Sequence, residues 1–522
     1  MAVISASVLG LWGTTPTMDC CTPSPGRLGT PTDNPSEPVI PDAVGVGRKV
    51  PAYPGGVVLP LDDALASRLS PGAVCRDPDI ARSYALDSAP GLPATGDFTL
   101  VRARDQADVV AVLAEAQARR VPVVPQGART GLAGAASARP GSIILNVEGL
   151  DALIDINDVE GYAVVSPGVV TAELKRAVRD AGLFYPPDPA SADSCTIGGN
   201  IATNAGGLCC LKYGVTASYV QALQMVLPGG EVMRTGHRTA KGVAGYDLTG
   251  LVVGSEGTLG VVTQAVLRLL PAPDPALTVV ASFGSLDAAT AAVLRLRRER
   301  HRPSLLELLD RPSLVAIQQL ADYGLPLDAE AVLLVQSDRP GHAREDVYRY
   351  ADVLTEAGGV DIAVADTTTE SDLLLAGRRA LNHAYDRKGT RLAEDICVPV
   401  AALGRFVEAG QAISARTGVE ITLAGHGGDG NLHPSFFYDP RDEASLRAAL
   451  RAFDDLVRAA WDLGGTVTGE HGVGTVKARH LATELGPREI ARQRALKQVF
   501  DPLGIMNPGT VFYDPASGAA YH

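Results

Sequence analysis

From residue 59 onward apolar positions recur at regular spacing, and the period shifts along the chain in a way that separates helices from strands. Val109, Val110, Leu113 and Ala116 predict a helix over 105–119, followed by a strand over 121–124. Further strands are expected at 143–147 and 162–166, a helix at 171–182, and a hairpin of 220–227 with 231–234 about the turn Gly229-Gly230. Beyond a proline-rich boundary at 271–275 the rhythm becomes strand 277–283, helix 286–298, strand 305–309, helix 313–319, strand 332–336, helix 343–357 and strand 360–365. That order predicts an α+β domain resembling a ferredoxin-like split unit. No internal repeat marks a solenoid or propeller.

Further on, Val419, Ile421 and Leu423 alternate with polar or small residues, and 432–438 is rich in aromatics. Between them runs Gly425-His426-Gly427-Gly428-Asp429-Gly430-Asn431-Leu432-His433, expected as a hairpin with His426 and His433 at the shoulders of its turn. Two imidazoles on facing strands can meet one metal ion. A helix through Leu446, Leu450, Phe453 and Leu456 should end at Gly464-Gly465, and a short strand over 466–468 should deliver Gly469-Glu470-His471-Gly472. Successive side chains diverge, so Glu470 and His471 are expected to divide their work, one toward a metal and the other toward a substrate.

Two stretches have no core pattern. The loop 125–136, Pro-Gln-Gly-Ala-Arg-Thr-Gly-Leu-Ala-Gly-Ala-Ala, follows a strand and exposes backbone N–H groups suited to phosphate oxygens. Residues 195–207 are so rich in Gly, Asn and Thr that they are expected as a surface for an extended polar cofactor. A third glycine-rich approach spans 254–262. No G-x-G-x-x-G lies between a strand and a helix with an acidic residue about twenty positions on, which excludes a Rossmann nucleotide site.

At 522 residues the chain is expected to form more than one domain. A net charge of −13 and a pI of about 5.2 exclude a general nucleic-acid surface. No apolar run reaches a membrane span and no basic segment opens the chain, so a cytoplasmic protein is expected, at most peripheral to the inner face of the membrane. The seven cysteines include no CxxC pair, so no iron–sulfur cluster or zinc ribbon is expected. Residues 1–55, rich in Pro, Gly, Ser and Thr, are expected as a disordered leader; Cys20-Cys21 within it lack the signal that lipidation would need.

Taken in order, these motifs resemble the FAD-linked oxidases of the vanillyl-alcohol-oxidase type, in particular the D-lactate, glycolate and D-2-hydroxyglutarate dehydrogenases. The resemblance covers roughly residues 59–512. It implies an α+β fold: an FAD-binding domain of two α+β subdomains over 56–271, a cap over 272–490, and a segment over 491–522 returning to the flavin. It also implies that Gln126, Gly127, Ala128, Arg129, Thr130, Gly131 and Leu132 hold the FAD pyrophosphate. Asp188, Ser191, Thr196, Gly198, Gly199, Asn200, Thr203, Asn204 and Gly206 would line the flavin, Glu256, Gly257 and Val262 the adenine and ribose side, and Asn507 would come back to the ring. Arg129 departs from the small residue usual in the family. Thr130 stands where relatives with tethered flavin carry histidine, which implies non-covalent FAD.

In the cap the resemblance implies His426, His433 and Glu470 as ligands of a divalent metal, with imidazole and carboxylate suiting zinc, manganese or iron. His471 would be the general base, Asn431 a hydrogen-bonding partner of substrate or ligand, and Arg378 the grip on a substrate carboxylate. Leu375 replaces the family's neighbouring Trp, and Arg379 competes for the role of Arg378. The segment 394–399 is assigned to structure. The expected substrate is a small 2-hydroxy acid. Electrons would pass to quinone, an electron-transfer flavoprotein, an iron–sulfur partner subunit or oxygen, and a homodimer is allowed. A metallohydrolase would leave 196–207 unexplained, and a non-catalytic flavin or metal scaffold would need no base beside Glu470.

Overall fold

The computed structural model describes residues 59–90, 92 and 96–513; the expected leader, with Cys20 and Cys21, lies outside them. Residues 59–270 supply two sheets. In the first, Val74–Cys75, Thr99–Arg102, Ile143–Asn146 and Val123–Gln126 lie side by side, the last three parallel. The helix Gln106–Arg119, capped by the Asp105 carboxylate on the Asp108 N–H, buries Val109, Val112, Leu113 and Ala116 against it. The strand expected at 121–124 sits two residues later, so Gln126 ends it and the glycine-rich loop leaves directly from its carboxyl end.

The second sheet is antiparallel, in the order Leu153–Asn157, Tyr162–Val165, Val261–Arg268, Val220–Val226, Val232–Gly236. Residues 195–207 correct the expectation of a wholly polar surface. They contain a short helix, Ile197–Thr203, that sinks Ile197 and Ile201 into the core, with Gly198 packed so closely on Pro167 that a Cβ would collide.

The cap is larger than a ferredoxin-like unit. Its eight strands run Val360–Val364, Leu277–Phe283, Ala331–Ser337, Leu305–Asp310, Ile421–His426, Asn431–Phe437 and Arg391–Ala393, with Ile396–Cys397 also on Asn431–Phe437. The extra strands come from the histidine hairpin, which docks through Leu308↔Gly425 and Leu309↔Ala424. Both faces are covered. Leu306, Leu308, Leu333 and Val335 meet the helices Leu286–Leu296, Ala343–Glu356 and Leu403–Thr417, whereas Leu305, Leu309, Val332 and Leu334 meet Arg311–Leu320 and Thr368–Lys388. The strand expected over 466–468 does not form; Thr466 makes a single bridge to Cys397 and the chain continues as a loop.

The chain then returns to the first sheet. Met506 bridges Val123, and the Asn507 amide donates to the carbonyls of Ala135 at 2.9 Å and Glu256 at 2.8 Å. No helix among the described residues is long and apolar enough to cross a membrane.

Candidate active site

A cleft of about 470 Å³, within the range of small-molecule sites, runs between the glycine-rich loops. All seven residues 126–132 line it, as do Ser191, Thr196, Gly198, Gly199, Asn200, Thr203, Gly206, Glu256, Gly257 and Val262. Glu470, His471 and Asn382 stand in the same wall. Three residues expected there do not line it. Asp188 pairs with Lys175, Asn204 caps the helix Ile197–Thr203 and accepts the Ala217 N–H, and Asn507 is spent on the two carbonyls above.

The cleft fits a long anionic cofactor. Carbonyls of the loop are occupied: Gly127 accepts from Asn146, Arg129 from Ser88 Oγ and Gly131 from the Ser88 N–H. By contrast, none of the N–H groups of residues 127–131 finds an acceptor among the described residues. Consecutive unsatisfied donors at a cleft wall form a cradle for phosphate oxygens. Arg129 itself turns aside, stacked 4.1 Å above the Tyr84 ring and 3.2 Å from the Glu148 carboxylate.

Beside the cleft, the hairpin register sets His433 opposite Ala424 and His426 opposite Asn431, so both imidazoles project from one face of the sheet. Their Nε2 atoms are 3.3 Å apart, and Glu470 Oε1 lies 3.4 Å from each. Bonds of about 2.0–2.1 Å to a tetrahedral ion place its ligands roughly 3.3–3.4 Å from one another. The triangle therefore matches one face of such a site. Gly206 makes room for it, since a Cβ there would overlap the Glu470 carboxylate.

Sequence reasoning missed the residue beneath this triangle. One step beyond the Leu308↔Gly425 pair, Glu307 stands opposite His426; its Oε1 is 2.6 Å from His426 Nδ1, and its Oε2 receives Arg378 Nε at 2.8 Å and Nη2 at 2.7 Å. Burial alone would raise the Glu307 carboxyl, but His426 and Arg378 outweigh it and hold it at about 2. Arg378, expected to grip substrate, is thus committed to a buried carboxylate and does not line the cleft. The Asn431 side chain packs against Gly469, also outside the cleft wall. A lone Glu inside the apolar run Leu305–Asp310 was the available signal, because a buried charge demands partners.

Electrostatics divide the three histidines. Burial favours a neutral His426, yet Glu307 and Glu470 raise it well above the usual range. Burial carries His433 down to about 3 despite Glu470, and it also lowers His471 despite Asp395. Glu470 would be raised by burial but is drawn to about 2, chiefly by His426. His471 stacks on His433 with centroids 5.2 Å apart and planes at 17°. Glu470 and His471 both line the cleft, the carboxylate turned to the Nε2 atoms of the histidine pair and the imidazole stacked on His433.

Two family models match the chain: an FAD binding domain over residues 99–236 and the C-terminal domain of FAD linked oxidases over 272–511. The glycolate oxidase subunit GlcD of Bacillus subtilis is 40% identical over 431 residues, 82% of this chain and 92% of the relative. A D-lactate dehydrogenase of Anaerostipes hadrus is 34% identical, over 79% of this chain and 89% of its own. Among solved structures, p-cresol methylhydroxylase superposes with a TM-score of 0.73 at 16% identity, covering 87% of this chain and 96% of that one. The 4-ethylphenol oxidase from Gulosibacter chungangensis gives 0.70 at 18%, covering 87% and 97%. These last two likenesses speak for the fold alone. The two family models and the relatives at 40% and 34% identity, together with the glycine-lined cleft and its free N–H cradle, identify the chain as an FAD-dependent oxidoreductase belonging to the FAD-linked oxidase family, with the vanillyl-alcohol-oxidase fold that the two solved structures share.

Proposed function

We propose that the protein oxidises a D-2-hydroxy acid, of the D-lactate, glycolate or D-2-hydroxyglutarate class, to the 2-oxo acid. The observation that carries this reading is the split at 470–471: one residue completes a metal-sized triangle and the next presents an imidazole to the cofactor cleft. The names of the relatives, glycolate oxidase subunit and D-lactate dehydrogenase, support the substrate class.

FAD, held without a covalent bond by the 127–131 cradle and the glycine-rich wall, supplies the two-electron acceptor. A divalent cation on His426, His433 and Glu470, whether zinc, manganese or iron, would supply positive charge to the substrate's hydroxyl and carboxylate. His471 accepts the hydroxyl proton at Nε2, so that the oxygen becomes a carbonyl as the Cα–H bond breaks. Residues 59–271 would hold the cofactor, 272–490 the metal and substrate, and 491–513 would close the flavin side; 56–58 and 514–522 of these segments lie outside the described residues. A separate electron acceptor completes the cycle.

Anaerobic flavin absorbance of metal-replete protein, followed against a panel of D- and L-2-hydroxy acids, tests the reading. Bleaching by a D-acid is expected; a flavin that no acid bleaches would sink it. His471→Ala should keep flavin and metal and slow reduction by about 10²–10⁴-fold, whereas His433→Ala should lose the metal. Loss of metal from both variants would undo the division of roles.

A further inference from the structure

Asp395 lies between the strands Arg391–Ala393 and Ile396–Cys397, fully buried. Its Oδ2 accepts three consecutive backbone N–H groups, those of Gly469 and Glu470 at 2.6 Å and that of His471 at 3.2 Å. Its Oδ1 accepts Thr468 Oγ1 at 2.9 Å and Lys477 Nζ, and stands 3.6 Å from His471 Nδ1. Lys477, itself fully buried, lies 3.3 Å from Glu394. His471 Nδ1 is buried and has no hydrogen-bond partner among the described residues. A buried polar nitrogen left unpaired is costly, and the Asp395 carboxylate is close enough to relieve it by a small tilt of the ring.

We propose that Asp395 is a positioning residue for His471: its carboxylate takes the Nδ1–H, fixes the tautomer with a free Nε2 lone pair, and holds the loop so that Glu470 reaches the histidine pair. The proposal rests on the base role given to His471 above. A neutral imidazole carries a single N–H, and a proton acceptor at Nε2 needs that hydrogen on Nδ1. An ionised carboxylate facing Nδ1 can only accept, so it selects the required tautomer. His433 stacks on one face of the ring. One side chain thus sets both the path of the loop and the chemistry of its base. The buried Lys477 offsets the charge of Asp395 through Oδ1, the same oxygen that stands nearest His471 Nδ1.

Asp395→Asn in the flavin-loaded protein tests this. The amide has the size of the carboxyl, its oxygen can retain the backbone donors, and its NH₂ offers Nδ1 a donor that drives the hydrogen to Nε2; because the same NH₂ meets the buried Lys477 Nζ, thermal stability is measured beside activity. Flavin reduction should fall by about 10³–10⁴-fold, the scale known for loss of an orienting carboxylate, with KM within about threefold and the flavin spectrum unchanged. Nitrogen NMR of histidine-labelled protein, with His471 assigned from the spectrum of His471→Gln, should show Nδ1–H in the parent and Nε2–H in the variant. Asp395→Asn added to His471→Ala should cost nothing further, because the two act as a unit. An additional loss in that double variant, with an unchanged tautomer, would mean a structural staple only and overturn the proposal. Should the variant fail to fold, the parent spectrum decides alone: Nε2–H there overturns it. Full activity in His471→Ala overturns the base role and this proposal together, whereas a slow His471→Ala with Nε2–H in the parent overturns only this one.

Discussion

Replacing Glu307 by Gln removes one charge and turns one acceptor oxygen into a donor, with almost no change of shape. In the parent, Oε1 is 2.6 Å from His426 Nδ1 while Oε2 binds two guanidinium nitrogens of Arg378 at 2.7 and 2.8 Å, all with the Glu307 side chain fully buried. Whichever way the amide faces, its NH₂ meets a donor on one side, and Arg378 keeps a positive charge with only 16% of its side chain exposed. Breaking a buried charged pair from one side costs about 3–5 kcal/mol, so the urea midpoint should fall clearly. The share borne by His426 should appear in metal binding, because losing the outer hydrogen bond of a ligand histidine weakens a site by about 10–100-fold. Competition between the protein and a chromophoric chelator for zinc measures this directly. A zinc Kd within twofold of the parent, alongside lost stability, would show that Glu307 serves the core and not His426; unchanged values of both would refute the network.

Two further perturbations probe other contacts. In Gly206→Ala the added methyl overlaps the Glu470 carboxylate and approaches Cys210 Sγ to 3.2 Å, so metal content by elemental analysis should fall sharply in a protein whose circular dichroism is unchanged; full occupancy would contradict the close approach. Glu256 accepts the N–H groups of Val473 and Gly474, and burial raises its carboxyl from 4.5 to about 7. Its folded pKa exceeds its unfolded one, so its contribution to stability is full below about pH 4.5 and is lost as pH rises through 7. The loss is on the order of 3 kcal/mol. Glu256→Gln should therefore gain on the parent between pH 5 and pH 8 in thermal unfolding, and parallel curves would refute the shift.

How legible all this was in the sequence depended on whether the signal was local. The hairpin 421–437, the helices 106–119 and 443–462, and the glycine-rich loops follow from periodicity and turn residues within single windows. The short strand over 466–468 failed because it pairs only once, Thr466 with Cys397; the Val467 N–H goes to the Glu484 carboxylate, and the N–H groups of 469–471 that follow go to Asp395, some 75 residues earlier. Glu307 and Asp395 were passed over for the same reason. Each is an acidic residue in an apolar setting whose partners are 119 and 76 positions away in His426 and His471, and only the sheet register brings them together. Arg378 shows the converse: the family resemblance implied a substrate anchor, and the structure adds the buried carboxylate of Glu307 as its partner. Asp188 likewise found a nearer lysine.

The late return of residues 505–510 to the first sheet bears on how the protein is made. Asn507 reaches Ala135 across 372 positions, and Thr510 meets the buried Arg139 across 371. On the ribosome, the loops that flank the cofactor cleft cannot acquire these closing contacts until almost the whole described chain has emerged. The cap's hairpins, with far shorter separations, can assemble while they wait. Closure of the cofactor cleft is thereby placed after synthesis of the cap, and an interrupted nascent chain would carry the finished triangle of His426, His433 and Glu470 beside a cleft still open at its base.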